Sequence, residues 1–193
     1  MTALPPSLPI LLIEDAVRDA LKEDLGLAGD ITTNATISPD ATATAVLASR
    51  DDGVVSGMAL ARTAFRLLDP SLEFTAKVED SDRVATGEVL AQISGNARAI
   101  LSAERVALNY LMRMCGIATY TAAFAQKIEH TKARVCDTRK TVPGHRAFDK
   151  YAVSCGGGSN HRFGLDDAIL IKDNHIAVSG GVAQAVHNAR AYI

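Results

Sequence analysis

A chain of 193 residues with a net charge of −2, 48% hydrophobic residues and no tryptophan has the composition of an ordinary globular protein, long enough to bury a core in one large domain or two small ones. The near-neutral balance, without a basic tail or a run of like charges, excludes nucleic acid as an expected partner, and no apolar run approaches the ~20 residues that a membrane helix needs. Cys115, Cys136 and Cys155 are odd in number, far apart and form no CxxC pair, so neither a disulfide framework nor a zinc site is expected, and a reducing compartment is.

The apolar start at Leu8–Ile13 is interrupted by prolines and lacks a basic flank, so it does not read as a signal peptide, and a cytoplasmic location is expected. Residues 10–25 have helical spacing, with Ile13, Val17, Ala20, Leu21 and Leu25 on one face. Residues 28–34 (AGDITTN) read as a polar loop. Small and β-branched residues over 41–49, followed by Asp51-Asp52-Gly53, predict a hairpin. Helical spacing returns over 58–68 and stops at Asp69-Pro70.

Leu72, Phe74, Ala76 and Val78 alternate with polar residues, which predicts a strand, and a second strand is expected over 89–93 after the turn at Gly87. The phrase VEDSDRVATGEVLAQISG (78–95) has the look of a biotinyl or lipoyl carrier hairpin. Such hairpins present a lysine, and none occurs between Val78 and Gly116, so the phrase reads as a plain β-hairpin. A long helix is expected over 97–115, with Leu101, Leu108, Leu111 and Met112 inside and Gly116 at its end. Arg105 and Asn109 fall on its other side, where Arg105 by itself reads as a solvated arginine. A separate alanine-rich helix is expected over 117–130.

Beyond that point the pattern becomes strand (133–136), helix (143–155), strand (167–172), helix (182–193), which argues for parallel strands joined by helical crossovers. A domain change is placed near Gly116. In such sheets ligands gather at the ends of the strands, and both expected strands run out into cations: Arg139 and Lys140 after the first, Lys172 and His175 after the second. Arginine offers two parallel donors to a carboxylate, which suits Arg139 and Arg162 to carboxylate recognition, with His161 adding a hydrogen bond. Lys140 and Lys172 are compact charges suited to phosphate oxygens. Gly156-Gly157-Gly158 is either a helix stop or a source of N–H groups for an anion. Arg146 and Lys150, one turn apart, are read as a solvated face, Lys150 in particular. His187 is expected on the surface, and His175 serves either a loop hydrogen bond or chemistry.

The motifs DTRKT (137–141), PG-x-R (143–146), KYAV-x-CGGG-x-NHR-x-GL (150–165) and ILIKDNH (169–175), in this order and spacing, resemble those of quinolinate phosphoribosyltransferases, the decarboxylating nicotinate-nucleotide pyrophosphorylases. EDLGLAGDITT (23–33), SG-x-ALA (56–61) and ERVALNYLMRMCGIAT (104–119) extend the resemblance to nearly the whole chain. It implies an α/β fold: an N-terminal α/β sandwich, residues 1–115, followed by the first part of an open α/β barrel, residues 116–193. It implies transfer of phosphoribose from phosphoribosyl pyrophosphate to quinolinate with loss of pyrophosphate and carbon dioxide, with magnesium as cofactor, in a homodimer. By motif, Arg139, His161 and Arg162 would hold the quinolinate carboxylates and Arg105 would reach in from the partner subunit. Lys140 and Lys172 would be catalytic and would contact the phosphoribosyl donor or lie between both substrates, Lys172 also counting among the substrate-binding residues.

Three positions depart from the family pattern. His145 stands for a usual leucine, Asp149 for a common glutamate, and Ser154 for a common arginine whose salt bridge would be lost. A complete barrel takes about 250 residues, so the resemblance also implies acidic magnesium ligands and a glycine-rich phosphate loop beyond this chain, and weak activity without them. The alternatives are a related phosphoribosyltransferase of molybdenum gene clusters and a non-catalytic anion-binding remnant.

Overall fold

A computed structural model describes residues 7–193, and the first six residues of the expected N-terminal domain lie outside it. Helix α1 (Ile10–Leu25) buries Ile13, Val17 and Leu21, the stripe that its spacing predicts. The AGDITTN segment is a loop only over residues 28–30. Asp30 accepts the Thr33 N–H at 2.9 Å and caps a short helix, α2 (Ile31–Thr36). The cap was present in the sequence, but the polar residues that follow it hide the helix behind a loop-like composition.

Strands β1 (Thr42–Ala48), β3 (Glu73–Ala76) and β5 (Val89–Asn96) form an antiparallel sheet in the order β1-β5-β3, while β2 (Gly53–Val54) and β4 (Arg83–Val84) pair separately. Both expected hairpins are therefore corrected. β1 pairs along its length with β5, from Thr42 opposite Asn96 to Ala48 opposite Val89, and not with the segment after the Asp51–Gly53 turn. The 78–95 phrase contributes β4 to one sheet and β5 to the other. The apolar face of β5, with Leu90, Ala91 and Ile93 buried, is what the core claims, and pairing follows burial more than the nearest turn.

Helix α3 (Met58–Leu68) packs on α1 and on the 32-residue α4 (Ala97–Ile128). Asn96 caps α4 by accepting the Ala99 N–H. The helix end expected at Gly116 does not occur, and the two expected helices are one. The buried stripe runs through Ala103, Ala107, Leu111, Met114, Ala118 and Ala122 without a phase break, and nothing lies within 4 Å of a Cβ built at Gly116. Continuous packing outweighs the propensity cost of one glycine, about 1 kcal/mol. The facing of α4 also differs from expectation: Leu101 and Met112 are 44% and 57% exposed, because alanines occupy the contact with α3 and let the two backbones approach.

Residues 129–193 carry α5 (Arg146–Cys155), α6 (Asp173–Ser179) and α7 (Val182–Tyr192). The two expected parallel strands do not form ladders. Cys136 makes an isolated parallel bridge with Ser159, through Ser159 N–H to Val135 O at 2.7 Å and Asp137 N–H to Ser159 O at 3.1 Å. The crossover over α5 thus leads to residue 159, not to 167–172, which has no ladder partner among the described residues. A strand is defined by its neighbour, and an apolar run such as Ile169–Ile171 shows only the capacity for one. Tyr151 of α5 ties this part to the sheet end by donating its hydroxyl to Asp80 at 2.8 Å, the other Asp80 oxygen accepting the Met58 N–H. Burial, with the Asp80 carboxylate second, pushes the Tyr151 phenol well above the usual tyrosine range.

Candidate active site

The chain first reaches the site by way of α4. On its inner face Arg113 forms a two-bond pair with Asp149 of α5, at 3.0 and 2.9 Å, so the aspartate that stands for a glutamate is fully engaged. α5 then ends at the glycine triplet. Its three N–H groups are all spent inside the turn, Gly156 on Ala152 O, Gly157 on Ser154 O and Gly158 on Val153 O, so they do not face an anion. The glycines serve packing instead. A Cβ at Gly156 would overlap the Ala118 carbonyl oxygen and lie 2.8 Å from Thr121 Cβ, while Gly157 takes φ +82°.

The close approach of α5 to α4 directs residues 158–162 back against the Val135–Arg139 segment. There the sequence reading of Lys150 is overturned. Its ammonium is not solvated. It pairs with Asp137 at 2.6 Å, the two side chains only 5% and 8% exposed, and donates a second bond to His161 O at 2.9 Å. Asp137 also accepts the His161 N–H at 2.8 Å and the Asn160 amide at 2.9 Å. That amide bonds Lys150 O at 2.9 Å as well, and Ser154 Oγ donates to Asn160 Oδ1. Ser154, where an arginine is common, is a member of this network.

The network brings three of the expected site residues into adjoining segments: Arg139, two residues beyond Asp137, and His161 and Arg162, directly attached to it. His161 Nδ1 accepts the Arg162 N–H at 2.8 Å, which leaves Nε2–H as the ring's available donor. Arg162 donates to Ala168 O at 2.7 Å and so draws the 168–172 segment alongside. The Nε atoms of Arg139 and Arg162 are shielded from solvent and have no hydrogen-bond partner among the described residues. A shielded guanidinium donor without an acceptor costs free energy, and an anion would supply the acceptor.

Lys140 is exposed beside this cluster. Lys172 is exposed at the start of α6, where its N–H is accepted by His175 Nδ1 at 3.0 Å, so His175 serves the helix end. Arg105 is exposed on α4 and makes no hydrogen bond or ion pair to the cluster among the described residues. His187 is on the surface, as expected. Arg146 anchors the loop, donating to Thr141 Oγ1 and Phe163 O, each at 3.1 Å. Asp167 accepts the Phe163 and Gly164 N–H groups, which hold its carboxyl below the usual range. Two clefts, of about 500 and 560 Å³, are lined by other residues. No group of three or more His, Cys, Asp or Glu side chains is gathered for a metal among the described residues, and no residue here is assigned to magnesium.

Sequence reasoning missed Asp137 and Asn160 as parts of the site and misread Lys150. α5 is covered on more than one side, by α4 and by the 137–161 segments, and the simple two-faced rule for helix periodicity fails there.

A mixed α/β chain whose cations lie in two segments joined by an isolated parallel bridge, with helix α5 between them, has the layout of an α/β fold. Family models for the N-terminal and C-terminal domains of quinolinate phosphoribosyl transferase match residues 30–115 and 117–193. The chain is 43% identical over 189 residues to decarboxylating quinolinate phosphoribosyltransferase 1b of Nicotiana tabacum, covering 98% of this chain and 53% of that protein. It is 44% identical over 189 residues to the chloroplastic, carboxylating nicotinate-nucleotide pyrophosphorylase of Arabidopsis thaliana, covering 98% and 54%. The crystal structure of NadC from Streptococcus pyogenes superposes with a TM-score of 0.93 at 41% identity, covering 97% of this chain and 66% of that one. The nicotinate-nucleotide pyrophosphorylase of Francisella tularensis superposes with a TM-score of 0.93 at 38% identity, covering 100% and 68%. The chain belongs to the quinolinate phosphoribosyltransferase family, and the molybdenum-linked alternative is not favoured. It spans about half the length of the curated relatives it matches.

Proposed function

We propose that this chain carries the quinolinate-binding half of a phosphoribosyltransferase. The activity is transfer of phosphoribose from phosphoribosyl pyrophosphate to quinolinate with decarboxylation, giving nicotinate mononucleotide, pyrophosphate and CO2 in NAD biosynthesis. The observation that carries the reading is the pair of shielded Nε donors on Arg139 and Arg162, unpartnered among the described residues and carried on adjoining segments that the Asp137 network ties together. Quinolinate has two carboxylates, and two guanidinium groups and an imidazole N–H match them in number and type.

In this reading Arg139, His161 and Arg162 hold the carboxylates and so align the ring nitrogen with the ribose carbon. Lys140 and Lys172 take the catalytic role at the phosphoribosyl donor, supporting charge that develops as pyrophosphate leaves. Exposed Arg105 completes the dicarboxylate site of a partner subunit in a homodimer. Units 1–115 and 116–193 are the N-terminal sandwich and the start of the barrel, sharing α4. Magnesium enters with the pyrophosphate donor, and no step is assigned to it. Three free cysteines suit a reducing, cytoplasmic setting, and no helix of the described residues is long and apolar enough to cross a membrane.

The test incubates the chain with quinolinate, phosphoribosyl pyrophosphate and magnesium and looks for nicotinate mononucleotide, with quinolinate binding measured in parallel by calorimetry. Product supports the full reading. Binding without product reduces it to an anion-binding remnant, and no binding removes the dicarboxylate site.

A further inference from the structure

The His161 peptide is held in an uncommon way. Its N–H is given to Asp137 at 2.8 Å and its C=O accepts from Lys150 at 2.9 Å, so both main-chain polar groups are taken by the two members of one buried ion pair. The same carboxylate and the Lys150 carbonyl each receive the Asn160 amide, whose oxygen is oriented by Ser154. Such a pair adds little to stability over a well-packed apolar pair of equal volume, because the desolvation of two charges offsets their attraction. What it does supply is direction. A carboxylate and an ammonium, each with several bonds at set angles, hold the two peptide units on either side of the His161 Cα in one orientation, as residues behind a binding site must if it is to be preorganised.

We propose that Asp137 and Lys150 are the positioning pair of the dicarboxylate site. Without touching substrate, they hold the His161 backbone, and through it present the His161 ring and the Arg162 guanidinium beside Arg139. The pair deepens the quinolinate reading above and rests on it. Lys150, a lysine inside a helix, is thereby a specificity device for the neighbouring loop and not a solvent-facing charge.

The test uses the full chain with Lys150→Met, Asp137→Asn and the double variant. Asp137→Asn keeps the shape and an acceptor for the His161 N–H, so it guards against the case in which Lys150→Met does not fold. Calorimetry reads quinolinate and phosphoribosyl pyrophosphate binding, and amide hydrogen exchange reads residues 160–162. Each single variant should weaken quinolinate binding about tenfold or more, the equivalent of one net hydrogen bond, and speed exchange at 160–162 to a similar degree. Binding of phosphoribosyl pyrophosphate should change less than about threefold, since Lys140 and Lys172 are not bonded to the pair. The double variant should bind quinolinate no more weakly than the poorer single variant, because both remove one coupled unit. Folded variants with unchanged quinolinate affinity overturn the proposal, as does equal weakening toward both ligands. If the unmodified chain binds no quinolinate, the functional reading fails, and exchange at 160–162 still judges the pair: unchanged protection in the variants refutes it.

Discussion

Shielded guanidinium donors without acceptors set the energetics at the residue scale. Arg139→Ala and Arg162→Ala should each weaken quinolinate binding by about 2–3 kcal/mol, the range of a charge-assisted hydrogen bond with its lost partner. Calorimetry on each variant checks this, and an affinity equal to that of the unmodified chain would remove the residue from the site. Tyr151 belongs to the same scale. Its phenol, half-buried and bonded to Asp80, titrates above its ordinary value in the fold, so the stability it adds is fully present below the ordinary tyrosine value of 10 and is lost as pH rises above it. Tyr151→Phe should lower stability by about 1 kcal/mol at neutral pH and flatten the loss of melting temperature between pH 10 and 11. An unaltered alkaline slope in the variant would argue against this assignment.

The elements are coupled by close helix approach. Gly156 and Gly158 let α5 lie against α4, so Gly156→Ala should cost at least about 2 kcal/mol through overlap with the Ala118 backbone, with the 158–162 loop shifting alongside. Gly116, in the same α4 but facing open space, should behave oppositely. Gly116→Ala should stabilise by about 0.5–1 kcal/mol, because the helix is already formed there and alanine removes freedom from the unfolded chain. Denaturant melts of the two variants would separate these effects, and the same sign for both would contradict the packing described. The elements also show where local grammar reaches its limit. The spacing of α1 and α3 was legible because each has one apolar stripe and one solvated side. The Asp30-capped α2 and the buried Lys150 were not, since a cap inside a polar stretch and a helix covered on several sides leave no period to read.

For the whole molecule, ligand linkage ties the site to stability. Quinolinate at 100 times its dissociation constant should add about 2.7 kcal/mol, a rise of about 5–10 °C in melting temperature for a chain of this size. Magnesium chloride alone should leave the melting temperature within about 1 °C, since the described residues gather no carboxylate cluster to hold it. A large shift with the metal alone would show ligands in an arrangement different from the one seen. The pairing of Tyr151 with Asp80 and of Arg113 with Asp149 joins α5 and its loops to the N-terminal layers, so quinolinate binding at one end should be felt in the melting of the whole.

The residues themselves determined the family, the helical stripes and the presence of Arg139, Lys140, His161, Arg162 and Lys172 in one stretch, because motif order and apolar spacing are local properties of a chain. The tertiary structure alone decided that β1 joins β5 and not its nearest neighbour, that α4 runs unbroken through Gly116, and that the segment around Cys136 meets residue 159 in place of 167–172. It also decided that Lys150 is buried against Asp137 behind the site. Each of these depends on what lies across the gap: a strand needs a partner's hydrogen bonds, a glycine matters by what its missing Cβ would meet, and a charge is buried only if an opposite charge is waiting for it.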